Sequence, residues 1–153
     1  MQLLRYVSMI SIVLCMALVV HAQTNKDERN DPVATLASYY NAINTRDYHR
    51  AYSFWETPSS SFEEFARGFA GTEHVRILVE PSPRIEGAAG SAFADISTIV
   101  VATTRGGKER VFAGCYVLRR SNVQDRGWMI YRANVSKVPS NNTISRLLSN
   151  VCK

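Results

Sequence analysis

The chain is poor in the side chains that build metal centres and covalent active sites. It has three cysteines and three histidines in 153 residues, with no cysteine or histidine set at the spacing of a zinc site. His49 sits beside Arg50 on a polar helical stretch and His74 begins a strand-like one. Each reads as an isolated surface or hydrogen-bonded histidine. No serine occupies a nucleophile-elbow context. The stretch GAAGS (87–91) lacks a phosphate-loop lysine and follows proline-rich chain instead of a strand, so it reads as a turn. Internal repeats are missing. Basic residues outnumber acidic ones by 18 to 13, but they are scattered from Arg46 to Arg146 with no concentrated patch, which argues against nucleic acid as a partner. Neither a metal nor a cofactor is expected.

What is present begins with an export signal. Arg5 and the chain's own amino group precede the uncharged run Tyr6–Val20, and Val20-His21-Ala22 places small or compact residues at a cleavage position before Gln23. The run is 15 residues long, short of the roughly 20 that a membrane-spanning helix needs. Residues 1–22 are therefore expected to leave as a signal peptide, with no stable membrane anchor afterwards; an uncleaved anchor is the alternative. Leu14 before Cys15 is too large for a lipoprotein signal. The expected destination is periplasmic or secreted. Cleavage leaves 131 of the 153 residues, the size of one ordinary domain. Two cysteines remain, Cys115 and Cys152. In an oxidising compartment they are expected to pair as a disulfide, with free or intermolecular thiols as the alternative.

Hydrophobic periodicity then divides the chain. Residues 23–31 are a polar, flexible leader, 32–138 the domain and 139–153 a tail. Asp31-Pro32 caps and opens a helix with Val33, Leu36, Tyr40 and Ile43 on one face. Asp47 caps a second helix carrying Tyr48, Ala51, Tyr52 and Trp55, which Pro58 ends. Ser61 with Glu64 is a capping-box pattern before a third helix over 62–70 with Phe62, Phe65 and Phe69. From there the period becomes strand-like: 74–80, 91–104, 108–120 and 128–138, with 81–90 turn-rich and a hairpin turn at 105–107. A helical stripe, Ile144, Leu147, Leu148 and Val151, follows in the tail. Helices followed by antiparallel strands make an α+β order.

Three segments together, LASYYNAINTRDYHRAYSFW (36–55), SFEEFARGFAGT (61–72) and the late pair FAGCYVLRR and GWMIYRA (112–120 and 127–133), make residues 33–138 resemble the nuclear-transport-factor-2-like domains, which include ketosteroid isomerases and SnoaL-like proteins. The chain is especially similar to exported bacterial members of that group without an assigned activity. The resemblance implies three N-terminal helices on the concave face of a curved, mainly antiparallel four-stranded sheet, here with a short C-terminal tail helix. Phe112, Gly114, Tyr116 and Leu118 share one strand face and Val111, Ala113, Cys115 and Val117 the other. In similar proteins the concave face carries the Trp128-x-Ile130 pair and the pocket, so Tyr116 should point inward and Cys115 outward. The convex face then needs a cover. It is expected to be the tail helix stapled by Cys115–Cys152, or else a second copy in a homodimer through the sheet.

Ketosteroid isomerases of this fold use a carboxylate base with a tyrosine and a protonated acid as oxyanion donors. Asp95 is the one acid inside an apolar strand and the candidate for such a base, with Tyr39, Tyr40, Tyr52 and Tyr116 as candidate donors; an exposed strand position or an ion-pair role for Asp95 is the alternative. The second pocket acid has no counterpart, since position 119 is Arg. The preferred reading is therefore a non-catalytic exported domain binding an apolar small molecule or a protein partner. Its pocket would be lined by Tyr40, Tyr52, Trp55, Phe69, Tyr116 and Trp128, although the same aromatics would also serve as packed core. A ketosteroid-isomerase-like proton-transfer enzyme and a structural subunit of an envelope assembly are the alternatives.

Overall fold

A computed structural model describes residues 27–139 and Cys152. After one 3-10 turn (Asp27–Arg29), helix α1 spans Pro32–Asn44. The Asp31 carboxylate accepts from the Ala34 amide at 2.8 Å, and Pro32 occupies the first turn, where a missing N–H costs nothing. Leu36, Tyr39, Tyr40 and Ile43 make its buried stripe. Arg46, at a φ of 61°, reverses the chain. The Asp47 side chain then accepts from the Arg50 amide to start α2, Tyr48–Ser53. Helix α3, Phe62–Gly68, opens with the full capping box, in which Ser61 and Glu64 bond each other's backbone amides through their side chains.

Trp55, expected on the second helix, lies just beyond it. Pro58 removes an amide that a longer helix would need, and residues 54–56 run beside the last strand instead. There the Ile130 amide donates to the Phe54 carbonyl at 2.8 Å and the Glu56 amide donates to the Ile130 carbonyl at 2.9 Å.

The sheet contains β1 (Thr72–Val79), β2 (Arg84–Ala88), β3 (Ser91–Thr104), β4 (Glu109–Ser121) and β5 (Trp128–Val138). All pairings are antiparallel in the order β1-β3-β4-β5, and β1 and β2 lie end to end along the same side of β3. These are the four strands expected from periodicity plus a short fifth within the segment read as turn-rich. All five residues of β2 are exposed, so no burial imposes an alternating pattern on its sequence. The Asn44 side chain donates to the Val75 carbonyl at 2.8 Å and accepts from its amide at 2.7 Å. This one amide satisfies the outward-facing backbone groups of Val75 on an edge strand.

The core forms on the concave face. Ala94, Ile96, Val100, Tyr116, Leu118, Trp128 and Ile130 from the sheet pack against Leu36, Tyr39, Tyr40, Ile43, Ala51 and Phe54. In β5 the register shifts, so that Leu118 faces Ile130 while Val117 faces Arg132, leaving Tyr131 as an extra residue. This bulge lets Trp128 and Ile130 share the inward face with Val135, an odd number of residues further on. On the convex face Ile99, Ala113 and Val117 are buried. Cys115 is bonded there to Cys152, with Cα atoms 5.0 Å apart. The signal, the leader before residue 27 and the tail stripe at 144–151 lie outside the described residues.

Candidate ligand-binding cleft

Between the end of α3 and the open end of the sheet lies a cleft of about 610 Å³, within the range typical of small-molecule sites. Phe69, Val75, Val100, Ala102, Phe112 and Val135 supply apolar walls. Strands β1, β3, β4 and β5 contribute through their inward-facing residues, and Val100↔Phe112 and Ala102↔Arg110 are direct cross-strand pairs. The β5 wall depends on Gly114, the partner of Val135. A Cβ at Gly114 would run into the Asn134 carbonyl oxygen and the Val135 Cα. Only glycine lets β5 curl this closely over β4.

At the buried end stands Tyr40, whose hydroxyl lies 2.6 Å from that of Tyr116. Tyr39 packs edge-on against the Tyr40 ring at 4.8 Å. Burial pushes all three phenols up, and Tyr116 reaches about 12. The Tyr40 hydrogen bond works against burial at Tyr116, because a phenolate there would keep a donor. All three are therefore neutral at ordinary pH. Of the two bonded hydroxyls, one must donate to the other, so the pair keeps one O–H to offer elsewhere. At the exposed end the β3–β4 turn and the start of β4 supply Arg105 and Arg110. No carboxylate lines the cleft among the described residues.

The six aromatics proposed for a pocket are split by the structure. Tyr40 and Phe69 line the cleft. Tyr116 stands behind it, holding Tyr40. Tyr52 packs on Phe62 and Phe65 and donates its hydroxyl proton to the Ser60 carbonyl at 2.8 Å. Trp55 packs edge-on against Tyr39. Trp128 is buried at the other end of the core beneath the Arg120 guanidinium. Val100, Ala102, Arg110 and Phe112 escaped selection as pocket residues, although Phe112 was already on the Tyr116 face and the same alternation reaches Arg110.

Asp95 lies between Ala94 and Ile96, both fully buried toward the helices, so its side chain emerges on the opposite face. There it accepts from Arg84 at 2.8 Å and borders a separate depression with Cys115, Val117 and Arg132. Two other half-buried carboxylates are also paired, Glu56 with Arg119 at 2.8 Å and Glu28 with Arg50 at 2.6 Å. No group of three or more potential metal ligands occurs among the described residues, nor does any described helix have the length and apolarity to cross a membrane.

No family model matches the sequence, and no curated protein is significantly similar to it. Solved structures are. A nuclear transport factor 2 (NTF2-like) superfamily protein from Salmonella enterica aligns with a TM-score of 0.52 at 14% identity, over 78% of this chain and 94% of that one. A ketosteroid isomerase-like protein from Erwinia carotovora atroseptica gives 0.51 at 18% identity, over 76% and 99%. A function unknown protein from Mycobacterium tuberculosis gives 0.51 at 20% identity, over 83% and 82%. Likeness at such identities speaks to architecture and leaves activity to the site itself. Helix order, antiparallel strand order, the curled sheet and these alignments agree: the described domain has the nuclear-transport-factor-2-like fold.

Proposed function

We propose that the chain is exported by a cleavable signal and that its domain binds an apolar small molecule without transforming it. The composition of the cleft carries this reading: apolar walls, one phenolic pair at the buried end and no carboxylate among the lining residues. Proton transfer of the ketosteroid-isomerase kind needs a carboxylate base inside such a cleft. Asp95 is on the other side of the sheet and already bonded to Arg84. Replacing it, Asp95→Asn, is accordingly expected to leave ligand binding unchanged and to cost less than about 1 kcal/mol of stability, as for other partly exposed ion pairs.

The test is to purify the protein from the exported fraction and weigh it under native and then denaturing conditions. A chain beginning at Gln23, with a small-molecule adduct that leaves on denaturation, is the expected result. An unprocessed mass would overturn the export reading. A bare monomer that also fails to take up the neutral apolar dye Nile red would overturn the binding reading. A co-purifying protein in place of an adduct would move the function to that partner.

A further inference from the structure

The walls of the cleft are apolar but its entrance carries charge of one sign. Arg105 and Arg110 line the exposed end, and no ion pair joins either to a carboxylate among the described residues. Other arginines of the sheet behave differently: Arg76 bonds Glu109 at 2.7 Å and, at the far end of the sheet, Arg84 bonds Asp95 at 2.8 Å. Glu109, the acid next to Arg110 in sequence, alternates to the other face of β4 and is taken up by Arg76. Lys137 pairs with Phe112 in register and so adds a third cation on the cleft side of the sheet. At the opposite end, the neutral phenols of Tyr40 and Tyr116 resist ionisation and cannot hold a charge of their own at ordinary pH. The cavity is thus polarised, with an apolar body, a weakly polar inner end and a cationic mouth.

On that basis, and resting on the binding function proposed above, we infer that the ligand is an amphipathic monocarboxylate. Its hydrocarbon part lies against Phe69, Val100 and Phe112, and its carboxylate lies at the mouth between the Arg105 and Arg110 guanidinium groups. A planar guanidinium matches a carboxylate with two parallel hydrogen bonds, and two such groups at one entrance also favour the entry of anions. Because both arginines are exposed, the charge supplies selectivity more than affinity. The apolar walls supply most of the affinity.

Decanoate and decanol test this as a matched pair, each titrated against bound Nile red on the full-length processed protein. At low salt decanoate should displace the dye at about tenfold lower concentration than decanol. The preference should shrink as salt screens the exposed charges. The variant Arg105→Gln/Arg110→Gln should lose the preference, so that the displacing concentrations of decanoate and decanol become equal; both side chains are exposed, so its fold is expected to be intact, which far-UV circular dichroism checks. Equal displacement by the two probes, or a preference that survives the double substitution, would overturn the carboxylate inference and leave the apolar binding function standing. Failure of Nile red and both probes to bind would overturn both.

Discussion

Raising the pH through the tyrosine range should unfold this domain in a way the three central phenols make calculable. Tyr39, Tyr40 and Tyr116 have only 3%, 6% and 5% of their surface exposed, and burial is the first cause of the upward shift in each. In the unfolded chain they ionise near 10.0, whereas Tyr116 in the fold holds its proton to about 12 and the other two are also raised. A raised folded pKa means that the stabilisation is complete below the unfolded value and is lost as pH climbs through the folded one. At about pH 11 each unfolded phenol has gained somewhat over 1 kcal/mol by ionising, so three of them remove about 4 kcal/mol. That is a large part of the 5–15 kcal/mol available to an ordinary domain. Urea titrations followed by tryptophan fluorescence at about pH 8 and about pH 11 should show this loss. In Tyr116→Phe, which is less stable at neutral pH by about 1 kcal/mol, the further loss on going alkaline should be about a third smaller. An unchanged urea midpoint, or the same alkaline loss in Tyr116→Phe, would refute the assignment of these phenols as the sensitive groups.

The close approach at Gly114 makes Gly114→Ala costly, by about 3 kcal/mol since backbone of β5 must move; a melting temperature within a degree or so of wild type would contradict that packing. Asn44→Ala strips both partners from the Val75 backbone and should lose about 2 kcal/mol in chemical denaturation, while Asn44→Asp, which keeps an acceptor but no donor, should recover only part. Breaking the bond between Cys115 and Cys152, 37 residues apart, releases a loop worth about 4 kcal/mol in the chain-entropy model. Cys115→Ser with full stability would show that the cross-link does not staple the domain.

How much of this was legible beforehand depended on how local the cause was. The caps at Asp31, Asp47 and Ser61 are hydrogen bonds between residues three apart, and a linear reading captures them. Strand alternation likewise put Tyr116 and Cys115 on opposite faces, and the family resemblance supplied which of the two is inward. Strand β2 escaped because its five exposed residues carry no burial pattern. Trp55 was assigned to a helix because its bridge to Ile130 joins residues 75 positions apart. The cleft was only partly legible for a related reason. Large aromatics attract attention, but Tyr52, Trp55 and Trp128 are used for packing, and much of the lining comes from the smaller Val75, Val100, Val135 and Ala102. Alternation around Asp95 would have revealed that it faces away from the pocket, since its neighbours Ala94 and Ile96 are apolar.

The extra residue in β5 resets the phase of the strand. With Tyr131 absorbed by the bulge, the segment before it answers to the core through Trp128 and Ile130, and the segment after it answers to the cleft through Val135. Were the strand regular, Arg132 and Asn134 would turn inward and Val135 outward. The insertion therefore lets one strand meet two demands with one alternation each, helix packing before the bulge and cleft lining after it.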